Sequence, residues 1–511
     1  MTIYGLDIGN AFAYASVLEV DPRNPGDEHK DPLPMLPGAL SNTGIPTDAY
    51  ISPEGVITIG QGRSRPAGAP PFKKGLCGVV RAVKTILLQD EVVCRLPRKL
   101  QVTVKTGDIY AAIIRETVTV ANEHRREIGL MPIYDIMLAV PSTFADPETS
   151  KQLISKVHAC VESIELDGRR LTLHGTIPEP AAVALDYLHY RKFMVPPAER
   201  PAGDEFTVAV YDIGQGTFDT SLTRINTAQG SYELLRHVGA PIGGKDLDNT
   251  LREYFLAQLR RELQDDPQTF QNVQSSDRLY VTANEVKSEL SATDEVEREY
   301  LLPTGDSVSL TVTREAFEQM IASYIEQTLE MVQELLDYAE DKGVKVDCIV
   351  LSGGCSQIPF VVDMVRELAD EYGLRIDRYR PSQAVSFGAA RHAWKPETLE
   401  KYTGYDYSIR LEEAGNLHGR LLPVIPFNSK LPFTTPPITL SYQHMGVYWV
   451  CRTLDKADLI NGTPLWNYRV LRKMKVNILP GEQFKAVFTM DEEYMLHIEC
   501  RRMNGELLLK L

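Results

Sequence analysis

VAVYDIGQGTFDTSLTRI (residues 208–225) restates IYGLDIGNAFAYASVL (residues 3–18), about two hundred positions earlier. In each, an apolar run ends in Asp-Ile-Gly and a carboxamide residue, Asp212-Ile213-Gly214-Gln215 and Asp7-Ile8-Gly9-Asn10. A second apolar run follows each, so the pattern predicts two tight β-hairpins with an acid and a glycine at the bend. One Asp-x-Gly turn is a common hairpin connection. Two copies in the same hydrophobic frame predict two like-built lobes, each offering backbone N–H groups and one carboxylate to a shared polyanion. Amides at a glycine turn approach phosphate closely, and a carboxylate can hold the metal that accompanies it.

Three further elements belong to the same chemistry. In GAPIGGKDLDNTLREYF (239–255) the Gly243-Gly244 turn leads into a predicted helix with Asp246 and Asp248 in its first turn. A helix N-terminus after a glycine pair is an anion site, although turn chemistry with acidic capping explains the same residues. LSGGCSQIP (351–359) reads as a strand followed by Gly353-Gly354, where a flat ligand or a phosphate can lie against the backbone. IPEPAAVALDY (177–187) places Glu179 between two prolines just before a helix. Gly243-Gly244-Lys245 lacks the upstream glycine spacing of a Walker A loop, and no GxGxxG follows a strand. No Cys or His grouping has zinc spacing, and His124, His158, His174 and His189 stand alone.

The 511 residues, 43% hydrophobic and 24% charged, suit a globular protein of about two to four domains. A net charge of −15 argues against nucleic-acid binding, which needs a basic face. Seven scattered cysteines suit a reducing compartment. The first strand begins at once, without a secretory signal, and no apolar run reaches membrane-spanning length, so the expected location is cytoplasmic with no membrane partner.

Strand and helix signals alternate through residues 1–200, with a Pro-rich surface loop at 21–38, a helix near 109–128 and a buried strand in 131–144. PPAERPAGDE (196–205) reads as the connection to a second lobe, 201–396. There, helices are predicted near 246–264, 276–291 and 313–341, the last with an apolar stripe from Phe317 to Leu336 and Gly343 as its stop. From 404 to 511 short β-type runs, prolines and Asn-Gly turns (Asn461-Gly462, Asn504-Gly505) predict a separate all-β module.

In order and wording these segments resemble the seventy-kilodalton heat-shock chaperones, the DnaK-like family within the actin and sugar-kinase superfamily. DIGNAFAY, IPTDAYISPEG, AVKTILLQDE, AVPSTFADPETSKQ, IPEPAAVALDY, YDIGQGTFDTSL, IGGKDLDN, NEVKSELS, LSGGCSQIP and AVSFGAARHAW carry the resemblance from residue 3 to about 394. GNLHGRLLPVIPFNSKLPFTT (415–435) is similar to the start of that family's β-sandwich. The resemblance implies an α/β fold of two actin-like lobes, duplicated ribonuclease-H-like subdomains, followed by an all-β sandwich-like module.

It also implies ATP or ADP with Mg²⁺ between the lobes. Asp7 and Asp212 would orient the metal through its water shell, and Lys84 would stand near the γ-phosphate and the attacking water. Glu179 and Thr217 would complete a hydrolytic site with Lys84 and Asp212, and Asp219 would support the second hairpin. Lys287, Ser291, Gly353 and Gly354 would line the nucleoside and inner phosphates with Gly243 and Gly244. Around them, Gly9, Asn10, Ala11, Phe12, Gly214, Gln215, Gly216, Lys245, Ser288, Cys355, Gln357 and Ser382 complete the implied nucleotide contacts. Such chemistry needs positioning, metal and positive charge more than covalent catalysis.

The departures from the family pattern bear on rate and coupling. A pair of threonines is replaced by Asn10 and Ala11, and a glycine by Gln215. The arginines that flank adenine correspond to Ser288 and Gln357, and an acid before the last helix to Ser382. ETLEKYTGYDYSIRL (397–411) stands where a Leu-rich linker is usual, and the helical lid is expected to be absent. The leading expectation is a slow chaperone ATPase that controls polypeptide binding by its β-domain, with cochaperones as further partners. The alternative is a nucleotide-binding scaffold that docks a dedicated protein partner without useful hydrolysis. A filament-forming actin-like protein and a sugar kinase are disfavoured by the β-module and by the lack of a legible sugar pocket.

Overall fold

The computed structural model describes all residues except 1, 22, 25–29, 61–75, 97–99, 142–146, 197–202, 227–230, 275–277, 395–398, 401–402, 404–405, 414–415, 427–428, 443–446, 456–458, 461–462, 465–466 and 492–495. Most of the expected connection at 196–205 and the Asn461-Gly462 turn lie outside the described residues.

The hairpin repeat is the visible part of a larger duplication. One sheet runs Thr172–Pro178, Asp135–Val140, Tyr4–Ile8, Phe12–Val17, Leu33–Pro34; a second runs Arg375–Arg378, Cys348–Ser352, Glu205–Ile213, Phe218–Asn226, Ser231–Ala240. In both, the first three strands are parallel and the hairpin partner is antiparallel. The helices repeat as well. Thr106–Glu127 precedes the second strand of its sheet as Arg314–Asp341 does in the other, and Glu179–His189 follows the first as Ala384–Trp394 does. Parallel strands require such crossovers, and their burial on both faces explains the continuous apolar runs at 136–140 and 348–351.

The long helix Arg314–Asp341 starts on Thr313, whose hydroxyl accepts from the Ala316 N–H at 3.2 Å, and ends before Gly343 at φ +65°. Its stripe of Phe317, Ile321, Ile325, Val332, Leu335 and Leu336 is buried. The Pro-rich stretch at 21–38 is more than surface loop: Met35 and Leu36 are buried in the first lobe's core. Inserts distinguish the lobes. The first carries the small sheet of Ala49–Ile51, Ile57–Ile59 and Gly78–Val80, the second the helices Gly244–Glu262, Pro267–Gln274 and Arg278–Leu290.

Where the lobes meet, the two equivalent helices touch. A Cβ on Gly388 would collide with the backbone of Ala182, so glycine is required for that approach. Asp186, fully buried on one helix, pairs with Arg391 Nε on the other at 2.8 Å and accepts from Tyr379 Oη at 2.7 Å. Asp31 holds the far side of Arg391 and of Arg380 at 3.1 and 2.6 Å.

Beyond residue 406 the described residues contain no helix. The strands Asn416–Ile425, Tyr407–Glu413, Val447–Asp455 and Asn467–Lys475 form one sheet, and Phe433–Thr434, Ile438–Ser441, Gln483–Met490, Leu496–Arg502 and Leu507–Lys510 form a second. Ile409, Tyr448, Val450 and Met474 from the first face Phe484, Phe488, Met490 and Ile498 from the second in one core, a sandwich. Leu399–Glu400 pairs in parallel with Tyr232–Glu233, adding an edge strand to the second lobe's sheet although it lacks a leucine run. All seven cysteines are free thiols, and no helix among the described residues is long and apolar enough to cross a membrane.

Candidate functional site

Both hairpins close with the same hydrogen bond, Gly9 N–H to Phe12 C=O and Gly214 N–H to Thr217 C=O, each at 3.0 Å. The two turns face each other across a cavity of about 470 Å³. Its lining includes Asp7, Gly9, Asn10, Ala11, Phe12, Lys84, Glu179, Asp212, Gly214, Gln215 and Thr217. It continues through Lys287, Ser288, Ser291, Gly353, Gly354, Cys355, Gln357 and Ser382. Residues named from two hundred positions apart thus share one wall.

Lys84 reaches the cavity from the single helical turn Val83–Ile86. The chain turns into it through Ala82 at φ +51°, a left-handed conformation that costs a non-glycine residue about 1–3 kcal/mol. Strain of this kind persists where surrounding structure holds a side chain in place, and Thr85 Oγ1 donates to the Ala82 carbonyl at 2.7 Å. The buried Lys84 ammonium is ion-paired with the buried Glu179 carboxylate. Burial works against its charge, but Glu179 and Asp7 outweigh that and raise its pKa.

Asp7 and Asp212, near the ends of the strands Tyr4–Ile8 and Glu205–Ile213, share the cavity with this pair. Burial first, then the Glu179 charge, pushes the Asp7 carboxyl up to about 7 against the opposing pull of Lys84. Asp212 lies well above the ordinary carboxylate range through burial and then Glu179, Asp219 and Asp7. Carboxyls strained in this direction gather charge that one lysine does not neutralise, a donor set that fits a divalent cation. Asp7 and Asp212 are the residues that would hold Mg²⁺, and the ion would neutralise phosphate oxygens there.

Four expected contacts stand outside the cavity wall: Gly216, Gly243, Gly244 and Lys245. The helix N-terminus read as an anion site is already occupied from within. Gly244 N–H donates to Gly214 C=O at 2.9 Å, Lys245 N–H to Gln215 C=O at 2.7 Å, and Gly243 N–H to Asp246 Oδ2 at 2.9 Å. The glycine pair therefore docks this helix on the second hairpin. A Cβ at Gly243 would strike the Gln215 backbone at 2.7 Å, and one at Gly244 the Gln215 side chain and Cys355 Sγ.

Sequence reasoning missed the centre of that region. Asp248 is fully buried and gathers Gln215 Nε2 at 2.6 Å, Asn284 Nδ2 at 3.0 Å, Tyr280 Oη at 3.1 Å and Lys287 Nζ at 2.7 Å. Lys287 keeps a raised pKa, with Cys355 and Asp248 overcoming the effect of burial. The signal was present as Tyr280, Asn284 and Lys287 at i, i+4 and i+7, a polar stripe on a helix that buries Leu279, Ala283, Val286 and Leu290. Arg81, just before Lys84, lies 4.9 Å over the Tyr280 ring and so joins the two lobes. Tyr14, Asn42, Thr43, Ser352, Ile358, Pro381 and Val385 also line the cavity without having been singled out.

Ser288 and Gln357, expected at the nucleoside end, both line the cavity. Gln357 is pinned between Arg378 Nη2 at 2.7 Å and Ser356 Oγ at 3.0 Å, so an arginine stands one layer behind it. Burial raises the Cys355 thiol, with Lys287 opposing.

Two equivalent α/β lobes, a carboxylate-bearing hairpin from each and a cleft between them define the actin-like ATPase fold, here followed by a β-sandwich. A family model described as Hsp70 protein matches residues 89–394, more than half of the chain. The chain belongs to the Hsp70 family. Heat shock protein hsp-6 of Caenorhabditis elegans is 30% identical over 268 residues, which cover 50% of this chain and 36% of that protein. Chaperone protein DnaK of Thermosipho melanesiensis is 28% identical over 353 residues, 64% of this chain and 54% of the relative. Heat shock cognate 70 kDa protein 3 of Dictyostelium discoideum is 26% identical over 345 residues, 65% and 51%. The matched region thus spans about half or less of these relatives' lengths.

Proposed function

We propose that the chain is a slow Mg-ATP hydrolase of the Hsp70 type, whose nucleotide state controls polypeptide binding by the β-sandwich. One observation carries this reading: the Lys84–Glu179 ion pair lines the same cavity as Asp7 and Asp212, and the charges of all four act on one another. Phosphoryl transfer to water is mostly a matter of placement and charge. Lys84 supplies a fixed positive charge for the terminal phosphate oxygens, Glu179 holds that ammonium, and the Thr217 hydroxyl helps to place the attacking water. Ser288 and Gln357, neutral at the nucleoside end, support loose binding of the base. Pairing of Leu399–Glu400 with the second lobe supports coupling between cleft and sandwich, and an Hsp70-type cycle would bring cochaperones as partners. Free thiols and the acidic charge support a reducing, cytoplasmic setting without nucleic-acid or membrane partners.

A second reading, a nucleotide-dependent scaffold docking one partner through the sandwich, is favoured by the hydroxyl-free first turn of Asn10 and Ala11. ATP turnover by wild type and Lys84→Ala separates the two. A clear loss in the variant supports hydrolysis, and equal background rates leave the scaffold.

A further inference from the structure

The two turns carry a carboxamide at the same position, and the two side chains go opposite ways. Gln215 folds back into its own lobe, where its Nε2 donates to Asp248 at 2.6 Å. Asn10 does the reverse. Its amide nitrogen lies so close to Gly216 of the opposite turn that a Cβ there would overlap it, and the residue is only 7% exposed. Its Oδ1 is buried with no hydrogen-bond partner. Asn10 therefore spans the gap between the hairpin turns and lines the same cavity as Lys84, Glu179, Ser288 and Gln357.

We propose that Asn10 sets the phosphate-chain length this cleft accepts, favouring a nucleoside diphosphate over a triphosphate. This inference rests on the nucleotide-binding reading above. A chain of two phosphates stops short of the space between the turns, whereas a third must displace the side chain. The amide oxygen is buried in the orientation described, so the demand on a third phosphate is to move the side chain as a whole. That demand holds whichever way the amide is turned. A serine or threonine here is shorter, and its hydroxyl rotates to donate to phosphate. Gln215 cannot act the same way, because Asp248 holds it inside its own lobe.

The test is calorimetric titration of the full chain with Mg-ADP and with the magnesium complex of the β,γ-imido analogue of ATP. Wild type, Asn10→Ser and Asn10→Thr are compared, with melting curves for each. Wild type is expected to bind the diphosphate at least about tenfold more tightly, and the hydroxyl variants to narrow the ratio to about threefold or less. Equal wild-type affinity for both ligands overturns the inference, as does an unchanged ratio in variants that melt like wild type. If neither ligand binds wild type or variant, the nucleotide-binding reading falls and takes this inference with it. Binding with an unchanged ratio sinks the inference alone.

Discussion

The two lobes share strand order, strand direction, crossover helices and the closing hydrogen bond of the hairpin, yet they contribute unequally to the cleft. The first lobe supplies Asp7, Lys84 and Glu179, a charged cluster. The second supplies Asp212 and Thr217, and it spends Gln215, Asp248 and Lys287 on an internal network. At equivalent places before the two crossover helices the chain has Pro178-Glu179 in one lobe and Pro381-Ser382 in the other. The duplicated frame fixes where groups stand, while the side chains at the strand ends differ between the copies. A fold repeated by parallel strands and crossovers tolerates such divergence, because its core depends on apolar continuity rather than on the loop residues at the strand ends.

The largest effect expected concerns what joins the halves. Asp186→Ala removes the fully buried carboxylate that Arg391, Arg380 and Tyr379 share and leaves the two guanidinium groups with Asp31 on their far side. A loss of roughly 3–5 kcal/mol in chemical denaturation is expected, enough to lower the melting temperature by several degrees. A loss below about 1 kcal/mol would show that the equivalent helices are held by packing alone.

Next comes the chemical asymmetry. If the first lobe carries the hydrolytic cluster, Lys84→Ala lowers ATP turnover about 10²- to 10³-fold, as for other lost transition-state charges. Ser382→Ala, at the place equivalent to Glu179, should change it by no more than about threefold, within the range of a substitution that removes no charge. Comparable losses in both variants would erase the proposed division of labour.

A third effect follows from the carboxyls at the hairpin ends. Asp7 is raised to about 7, so below that pH the folded protein holds a proton that Mg²⁺ must displace. Magnesium-dependent nucleotide affinity should therefore rise with pH by up to about tenfold per unit below 7 and level off above it. The same shift acts on the fold with opposite sign. An acid whose pKa is raised on folding favours the native state at low pH, and this contribution fades as pH climbs from the unfolded value of 3.8 to about 7. A flat magnesium profile from pH 5.5 to 8 would exclude Asp7 as the group that meets the ion.

The smallest effect tests the internal network. Gln215→Gly removes one donor to Asp248 while Asn284, Tyr280 and Lys287 remain, so unfolding should cost about 1 kcal/mol less.

Much of this was legible before any coordinates, for a physical reason. Asp-Ile-Gly in a repeated apolar frame is read locally, since a hairpin's turn and register are set by neighbours in sequence. Gly243 and Gly244 show the limit. Their turn was legible, but whether the amides face a ligand or a protein acceptor depends on contacts distant in sequence: Gly244 N–H goes to Gly214 C=O and Lys245 N–H to Gln215 C=O, while Gly243 N–H goes to Asp246 Oδ2. Asp248 looked like an ordinary first-turn acid because its partners lie more than thirty residues away. The opposite fates of Asn10 and Gln215 were equally hidden, since two amides at one turn position differ only in what the far side of the cleft offers them.

The most direct test is calorimetric titration of the full chain with ADP, with Mg²⁺ and with a chelator, for wild type and Asp7→Asn. A saturable heat with magnesium, weakened at least about tenfold by chelation or by the substitution, is the predicted result for a cleft whose two hairpins share one metal–phosphate ligand. No heat for wild type at millimolar nucleotide with magnesium, or the same affinity in all four titrations, would contradict it.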